Sequence, residues 1–117
     1  MAAISTQIRR FLKRADIAYD DAVEMVPKSD SAGEPGDILF FNYRGRPGGQ
    51  AVLLVKPITR DAKTGNQLLT CVNISIGDYN TIGDLEGLYN DRESLGSDQY
   101  RTYIMSKISG PLRRINF

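Results

Sequence analysis

The sequence predicts a small, mainly β domain with an amphipathic helix at its N-terminal end. Three observations carry this prediction. The chain has 117 residues, the length of about one domain. Apolar residues recur at helical spacing near its start, and short apolar runs bounded by glycine and proline follow. Hydrophobic residues make up 41% of the chain and charged residues 25%, which is typical of a globular rather than a disordered protein.

Residues 1–26 are predicted to form a helical segment that packs on the rest of the domain. Its apolar residues follow one helical face: Ile4, Ile8, Phe11, Leu12, Ala15 and Tyr19. Its cations fall mostly on the other side: Arg9, Arg10, Lys13 and Arg14. Residues 20–26 fit either a further helical turn or a short strand, and Pro27 ends both because it has no backbone N–H. Residues 27–36, rich in serine, glycine and proline, are predicted to be a linker.

Three apolar runs after the linker predict an antiparallel meander. They span residues 37–43, 51–56 and 67–75, and short connections containing glycine join them. The first two runs are continuously apolar at 38–41 and 52–55, which indicates burial on both faces of the sheet. The N-terminal helix is available to cover one of these faces.

The second half of the chain adds a polar insertion and further strands. Residues 77–98 form an acidic excursion with a short helix at about 84–90, and residues 100–105 alternate as a strand does. Gly110-Pro111 predicts a turn, after which residues 112–117 supply a fifth strand. Five short strands, one large insertion and an N-terminal helix are the layout of a small SH3-like or Sm-like antiparallel barrel. The barrel is expected to span residues 37–117.

The residue types that carry most protein catalysis are scarce. The chain has no histidine and one cysteine, Cys71, which lies in an apolar run. A thiol without a neighbouring base and with apolar surroundings is expected to be buried and inert. One cysteine and no histidine also exclude a zinc site. We therefore expect a protein that is not an enzyme and has no catalytic residue, metal or cofactor.

Two loops match ligand-binding motifs only in part. Residues 78–83 have the composition of a calcium loop, but Ile82 occupies the third ligand position and Tyr89 stands where the bidentate glutamate belongs. Residues 45–49 are rich in glycine but lack the lysine and hydroxyl of a phosphate-binding loop. A hairpin turn explains the second loop, and neither loop is predicted to bind a ligand.

Charge is arranged in blocks although the net charge is only +1. Residues 1–14 and 38–60 carry cations without acids, whereas residues 15–37 and 78–98 are mainly acidic. Three interpretations stay open: ordinary solvated faces, complementary docking of copies or neighbours, and a nucleic-acid path. The nucleic-acid path would use Arg44, Arg46 and Arg101, with stacking by Tyr43, Tyr100 or Tyr103. The candidate interaction surface comprises Arg9, Arg10, Lys13, Arg14, Arg44, Arg46, Asp84, Glu86, Arg101, Arg113 and Arg114. No membrane partner is expected, because the apolar runs are too short to span a bilayer.

Residues 100–103, Tyr-Arg-Thr-Tyr, and residues 105–108, Met-Ser-Lys-Ile, resemble the closing strand of WYL domains. Residues 41–43 and 55–57 are similar to the early strands of that family, whereas Gln-Leu-Leu at 67–69 stands in place of Trp-Tyr-Leu. This resemblance implies an Sm-like module that binds nucleotide or single-stranded nucleic acid in a regulatory role.

A second resemblance covers about residues 36–110. The segments that carry it are the basic N-terminal helix and residues 36–43, 52–55, 72–74 and 103–108. This layout is similar to that of small virion proteins of tailed bacteriophages. The resemblance implies a non-enzymatic structural or assembly protein of the tail, baseplate or neck, whose partners are other virion proteins or copies of itself. Its expected location is the virion, after synthesis in the host cytoplasm.

Overall fold

The computed structural model describes residues 23–74 and 82–115, together with Lys13. Lys13 is helical and exposed. The rest of the predicted N-terminal helix, its packing on the sheet and residues 78–81 of the calcium-like loop lie outside the described residues.

The described residues form seven strands, an α-helix and four 3-10 turns. The strands are β1 (Val23–Val26), β2 (Ile38–Tyr43), β3 (Gly49–Leu54), β4 (Thr59–Arg60), β5 (Gln67–Asn73), β6 (Arg101–Ile104) and β7 (Ile108–Ile115). The helix is α1 (Ile82–Asn90), which confirms the short helix predicted within the acidic excursion. The 3-10 turns are Asp30–Ala32, Arg92–Ser94, Ser97–Gln99 and Met105–Lys107.

All seven strands belong to one antiparallel sheet, which confirms the mainly β prediction. The strand order is β1-β7-β2-β3-β5-β4. Strand β6 pairs with the other edge of β5, because Leu68 lies opposite both Thr59 of β4 and Ile104 of β6. The sheet exceeds the predicted five strands by β1 and β4. Strand β4 has only two residues, both exposed, and therefore leaves no apolar pattern in the sequence.

The sheet begins at Val23 rather than at residue 37. The sequence of residues 20–26 fits either a helical turn or a strand, and residues 23–26 form a strand, β1. This strand pairs with β7 from Val23 opposite Ile115 to Val26 opposite Leu112. Between β1 and β2, Ala32 is fully buried in the core. The residues predicted to be a linker therefore contribute to the packed domain.

The turn predicted at Gly110-Pro111 is wrong, since both residues lie within β7. Phe40 of β2 lies opposite Arg113, but Asn42 lies opposite Ser109, so β7 carries two extra residues in a bulge. A bulge accommodates Pro111 because a residue outside the ladder needs no backbone N–H donor.

Strands β2 and β3 are buried on both faces, as their continuous apolar sequence predicts. The outer cluster consists of Ile38, Phe40, Ala51, Leu53, Val55, Val72, Ile74, Leu85, Leu88 and Ile115. The inner cluster consists of Ala32, Leu39, Phe41, Val52, Leu54, Leu69, Cys71, Tyr103, Met105, Ile108 and Leu112. Two leucines of α1 belong to the outer cluster, so the acidic excursion supplies part of the cover that the sequence assigned to the N-terminal helix.

Connectivity requires the sheet to curve strongly. Strands β6 and β7 are separated along the chain only by the turn Met105–Lys107, yet β2, β3 and β5 lie between them in the sheet. Neighbouring strands lie about 4.8 Å apart, so a flat sheet would separate β6 from β7 by roughly 19 Å. A 3-10 turn of this length rises only about 6–8 Å. The inner cluster therefore lies on the concave side.

No helix among the described residues is long and apolar enough to cross a membrane.

Candidate interaction surfaces

One end of the β2–β3 hairpin carries four exposed cations, which we call the basic pole: Lys28, Arg44, Arg46 and Lys107. They come from three separate segments, namely the stretch after β1, the β2–β3 turn and the 3-10 turn before β7. The backbone N–H of Arg44 donates to the carbonyl of Lys107 at 3.0 Å. The ammonium of Lys28 donates to the carbonyl of Ile108, also at 3.0 Å. These bonds hold the three segments together.

The basic pole has no neutralising acids from the segments that build most of it. Residues 38–60 and 99–117 contain no aspartate or glutamate. Within residues 23–74 and 82–115, none of the four cations forms an ion pair. Clustered like charges raise the local potential and attract an anionic partner. The basic pole therefore favours binding to a carboxylate-rich or phosphate-rich surface.

A polar network inside the curved sheet supports the basic pole. The amide of Asn73 donates to Oε1 of Gln50 at 2.9 Å and to the hydroxyl of Tyr103 at 3.0 Å. Tyr103 is 1% exposed and Gln50 is 8% exposed, so the hydrogen bonds compensate for their loss of water. The guanidinium carbon of Arg46 lies 5.9 Å from the centroid of the Tyr103 ring. This contact connects the β2–β3 turn to the network.

The tyrosines expected to stack on bases are engaged within the domain. Tyr103 packs edge-on to Tyr43, with ring centroids 5.0 Å apart. The hydroxyl of Tyr43 accepts the backbone N–H of Ile104 at 3.0 Å. The hydroxyl of Tyr100 donates to the carbonyl of Arg92, and the Lys56 ammonium lies 5.6 Å from the centroid of the Tyr100 ring. These contacts give the rings structural roles and weaken the case for base stacking.

The other end of the hairpin carries exposed acids, which we call the acidic pole: Glu34, Glu86, Asp91 and Glu93. The helix α1 is held there because Leu85 packs in the outer cluster with Ile38 at the start of β2 and Leu53 near the end of β3, and Tyr89 packs against the same cluster. Strand β2 has six residues. At about 3.3 Å per residue, the two ends of the hairpin lie roughly 20 Å apart.

Among the described residues, four cations also lie at the acidic end. Lys56 and Arg92 are held against aromatic rings, Arg114 contacts Asp37 just before β2, and Arg101 lies level with Leu54 at the end of β3 because both pair with Cys71. Lys56 lies over Tyr100, and the guanidinium carbon of Arg92 lies 4.0 Å from the centroid of the Tyr89 ring. A nitrogen of Arg92 also donates to the carbonyl of Tyr89 at 2.8 Å. Glu24 and Asp37 lie at this end as well, beside Arg114. Together with the four acids of the pole they outnumber the four cations, so this end of the hairpin is negative.

The groove beside α1 has a volume of about 260 Å³. Its floor is apolar, formed by Ile38, Leu53 and Leu85, and Glu86 lies at its rim. No cysteine, serine, threonine or lysine is among the described residues that line the groove. Cys71 is fully buried elsewhere, in the inner cluster, and burial raises the pKa of its thiol far above the usual range, so it stays protonated. The groove suits an apolar side chain accompanied by a cation.

The structure distributes the predicted interaction residues over several places. Arg44 and Arg46 lie in the basic pole, and Glu86 lies in the acidic pole. Other predicted residues are placed as follows: Asp84 is exposed on α1, Arg101 is exposed at the start of β6, and Arg113 is partly buried in β7. Arg9, Arg10 and Arg14 lie outside the described residues.

Arg114 is engaged within the sheet rather than presented for docking. Its Nε donates to Oε1 of Glu24 on β1 at 2.8 Å. A second nitrogen of the same guanidinium lies 3.9 Å from the carboxylate of Asp37. The arginine therefore connects β1, the start of β2 and β7.

The sequence did not identify Lys28 and Lys107 as surface residues. Lys107 left a signal, because it lies in a stretch of 19 residues, 99–117, that has no acid. Lys28 left none, because it is the single cation in the acidic block 15–37. It reaches the basic pole only because β1 pairs with β7.

Comparisons with protein-family models, with curated proteins and with solved structures find no match for this chain. The two poles and the contacts beneath them therefore provide the basis for a functional proposal.

Proposed function

We propose that this chain is a non-enzymatic structural or assembly protein of a tailed bacteriophage, a component of the tail, baseplate or neck. It acts by docking on other virion proteins or on copies of itself, and it resides in the virion after synthesis in the host cytoplasm. The observation that supports this proposal most is the separation of exposed charge onto opposite ends of one hairpin. Patches of opposite sign fix the orientation and register of docking partners.

The finer fold assignment belongs to the same proposal: a small SH3-like or Sm-like barrel with an N-terminal helix packed on it. Strands β6 and β7 lie on opposite sides of β2, β3 and β5 in the sheet, yet only the turn Met105–Lys107 connects them. This connection supports the barrel, because so short a turn joins the two strands only where the sheet is curled. The hydrogen bond from Ile104 of β6 to the hydroxyl of Tyr43 on β2 supports it as well.

A non-enzymatic role agrees with the chemistry of the described side chains. The chain has no histidine, and the thiol of Cys71 is buried and protonated. The side chains that gather at the two poles are cations, carboxylates and amides, which suit recognition of charged surfaces. A broad substrate screen that finds turnover would overturn this part of the proposal.

Binding of single-stranded nucleic acid is the second candidate, and the basic pole is the observation in its favour. Stacking on aromatic rings supplies much of the affinity in such sites, and here the three tyrosines are engaged internally. A filter-binding assay with a salt titration separates the candidates. A nucleic-acid site at the basic pole weakens steeply with salt and with Arg44→Ala combined with Arg46→Ala, whereas our first proposal predicts little binding in low salt.

Mass spectrometry of purified particles tests the proposal. We expect the chain in the particle at a fixed ratio to the other virion proteins, and retained after washes that remove host proteins. An abundant host protein measured in the same preparation is the control for contamination. Absence of the chain from the particle, or co-purification at the level of that host protein, contradicts the proposal.

A further inference from the structure

We propose that the basic pole of one copy docks on the acidic pole of a second copy, so that copies of this chain join head to tail. The inference rests on the proposed docking function and names its partner. The basic pole offers four exposed cations, and the acidic pole offers four exposed acids. The chain therefore carries both halves of a complementary pair.

The position of the poles determines the type of assembly. They are different patches at opposite ends of β2 and β3, so the contact between copies is heterologous rather than isologous. A heterologous contact generates a ring when its rotation closes and an open stack when it does not. An open assembly keeps one unused basic pole at one end and one unused acidic pole at the other until it closes.

The shapes of the two ends support the same pairing. The β2–β3 turn is exposed throughout residues 44–48 and carries Pro47 between Arg46 and the second glycine of the turn. The acidic pole contains the groove beside α1, which has an apolar floor and Glu86 at its rim. An apolar proline next to the cations of the turn matches an apolar groove beside acids. The geometry points to insertion of the turn of one copy into the groove of the next.

A second copy fits the basic pole better than nucleic acid does. The aromatic rings near the pole are engaged internally, so they do not offer the open faces on which bases stack. The net charge of +1 also gives no general attraction for a polyanion. The acidic pole of a second copy, in contrast, is an anionic surface with a recess, and nucleic acid offers no such recess to the basic pole.

Charge reversal on the full-length chain tests the inference. The variants are Arg44→Glu with Arg46→Glu, Glu86→Lys with Glu93→Lys, and all four changes combined. The altered side chains are exposed, so the fold is expected to survive; circular dichroism and urea unfolding verify this. Lys63→Glu, an exposed reversal outside both poles, is the matched control. Analytical ultracentrifugation over a range of protein and salt concentrations measures self-association.

We expect the unaltered chain and Lys63→Glu to associate in low salt, with the association constant falling at least about tenfold as salt rises from about 0.05 to 0.5 M. Each two-residue reversal alone should give monomers, because it brings the altered pole to a net charge of about zero and removes its attraction for the other pole. An equimolar mixture of the two reversed proteins should form a one-to-one complex, because each protein supplies one unaltered pole, whereas the four-residue variant should stay monomeric because neither of its poles keeps a net charge.

Three results overturn the inference: an unaltered chain that stays monomeric, a reversed chain that still self-associates, or a mixture of the two reversed proteins that remains monomeric. The last result, together with loss of oligonucleotide binding in Arg44→Glu with Arg46→Glu, would assign the basic pole to nucleic acid. A chain found in purified particles but monomeric in solution refutes head-to-tail docking and leaves the proposed function standing. A chain that self-associates in solution but is absent from purified particles would support head-to-tail docking and refute the proposed function.

Discussion

The two ends of the β2–β3 hairpin carry opposite charge, and they rest on different kinds of contact. The basic pole lies over a buried network of hydrogen bonds formed by Gln50, Asn73 and Tyr103. At the acidic pole, Glu86 lies on α1, whose leucines, Leu85 and Leu88, pack in an apolar cluster, and Asp91 and Glu93 follow that helix. In both cases uncharged contacts beneath the pole supply the stability. The exposed charges are therefore available for a partner.

Removal of an apolar anchor of the acidic end should have the largest effect. Leu85 is 4% exposed and packs in the outer cluster, so Leu85→Ala leaves a cavity. We expect the free energy of unfolding in urea to fall by about 2–4 kcal/mol. Glu86→Ala, the exposed neighbour, is the control and should change it by less than about 0.5 kcal/mol. Equal effects of the two changes would show that α1 does not rest on the sheet as described.

Disruption of the network under the basic end should have the next largest effect. Asn73→Ala removes the amide that donates to Gln50 and Tyr103. Because their buried oxygens lose this donor, the free energy of unfolding should fall by about 1–3 kcal/mol. Tyr103→Phe removes only the hydroxyl and should cost about 1 kcal/mol. Because the two residues share a hydrogen bond, urea unfolding of the double variant should show a loss smaller than the sum. An additive loss would contradict a coupled network.

Two glycines, one at each end of the β2–β3 hairpin, allow the packing at the two ends to be compared. Gly36 at the acidic end and Gly45 at the basic end have φ angles of 99° and 81°, which disfavour any side chain. A Cβ on Gly36 would lie 3.4 Å from the Tyr89 ring, whereas a Cβ on Gly45 meets nothing within 4 Å. Replacement by alanine should cost about 1–2 kcal/mol at each position, with the larger cost at Gly36. A larger cost at Gly45 in thermal unfolding would contradict the packing of α1 against the start of β2.

The smallest effect is expected from the cations of the basic pole. Arg44→Glu with Arg46→Glu should change the free energy of unfolding by less than about 0.5 kcal/mol per residue, because exposed charges without ion pairs contribute little. Arg114→Ala is the contrast: it removes the contacts to Glu24 and Asp37 and should cost about 1 kcal/mol. Urea unfolding in low salt measures both. If Arg44→Glu with Arg46→Glu lowered the free energy of unfolding as much as Arg114→Ala does, these two cations would contribute to stability instead of docking.

Continuity of the apolar pattern decided which strands the sequence could predict. Strands β2 and β3 were predicted with bounds close to the observed ones, because unbroken apolar runs result from burial on two faces. Strand β4 is exposed and was missed. Gly110-Pro111 was interpreted as a turn because local chemistry does not distinguish a turn from a bulge, which depends on the partner strand.

The candidate surfaces were predictable only where their residues are close in sequence. Arg44 and Arg46 belong to one acid-free block, and Glu86 belongs to one acidic block, so composition was sufficient to identify them. Lys28 joins the basic pole through the pairing of β1 with β7, which no local pattern encodes. The internal engagement of Tyr103 likewise depends on Asn73, 30 residues earlier in the chain.

Zero-length carbodiimide cross-linking tests most directly whether the two poles dock. The reagent joins a lysine amine to a carboxylate that touches it, and a mixture of isotope-labelled and unlabelled chains identifies links between copies. In low salt we predict links between copies that join Lys28 or Lys107 to Glu86, Asp91 or Glu93, and their loss in the variant Glu86→Lys with Glu93→Lys. Links between copies that avoid both poles, or links only within one chain, would contradict the account.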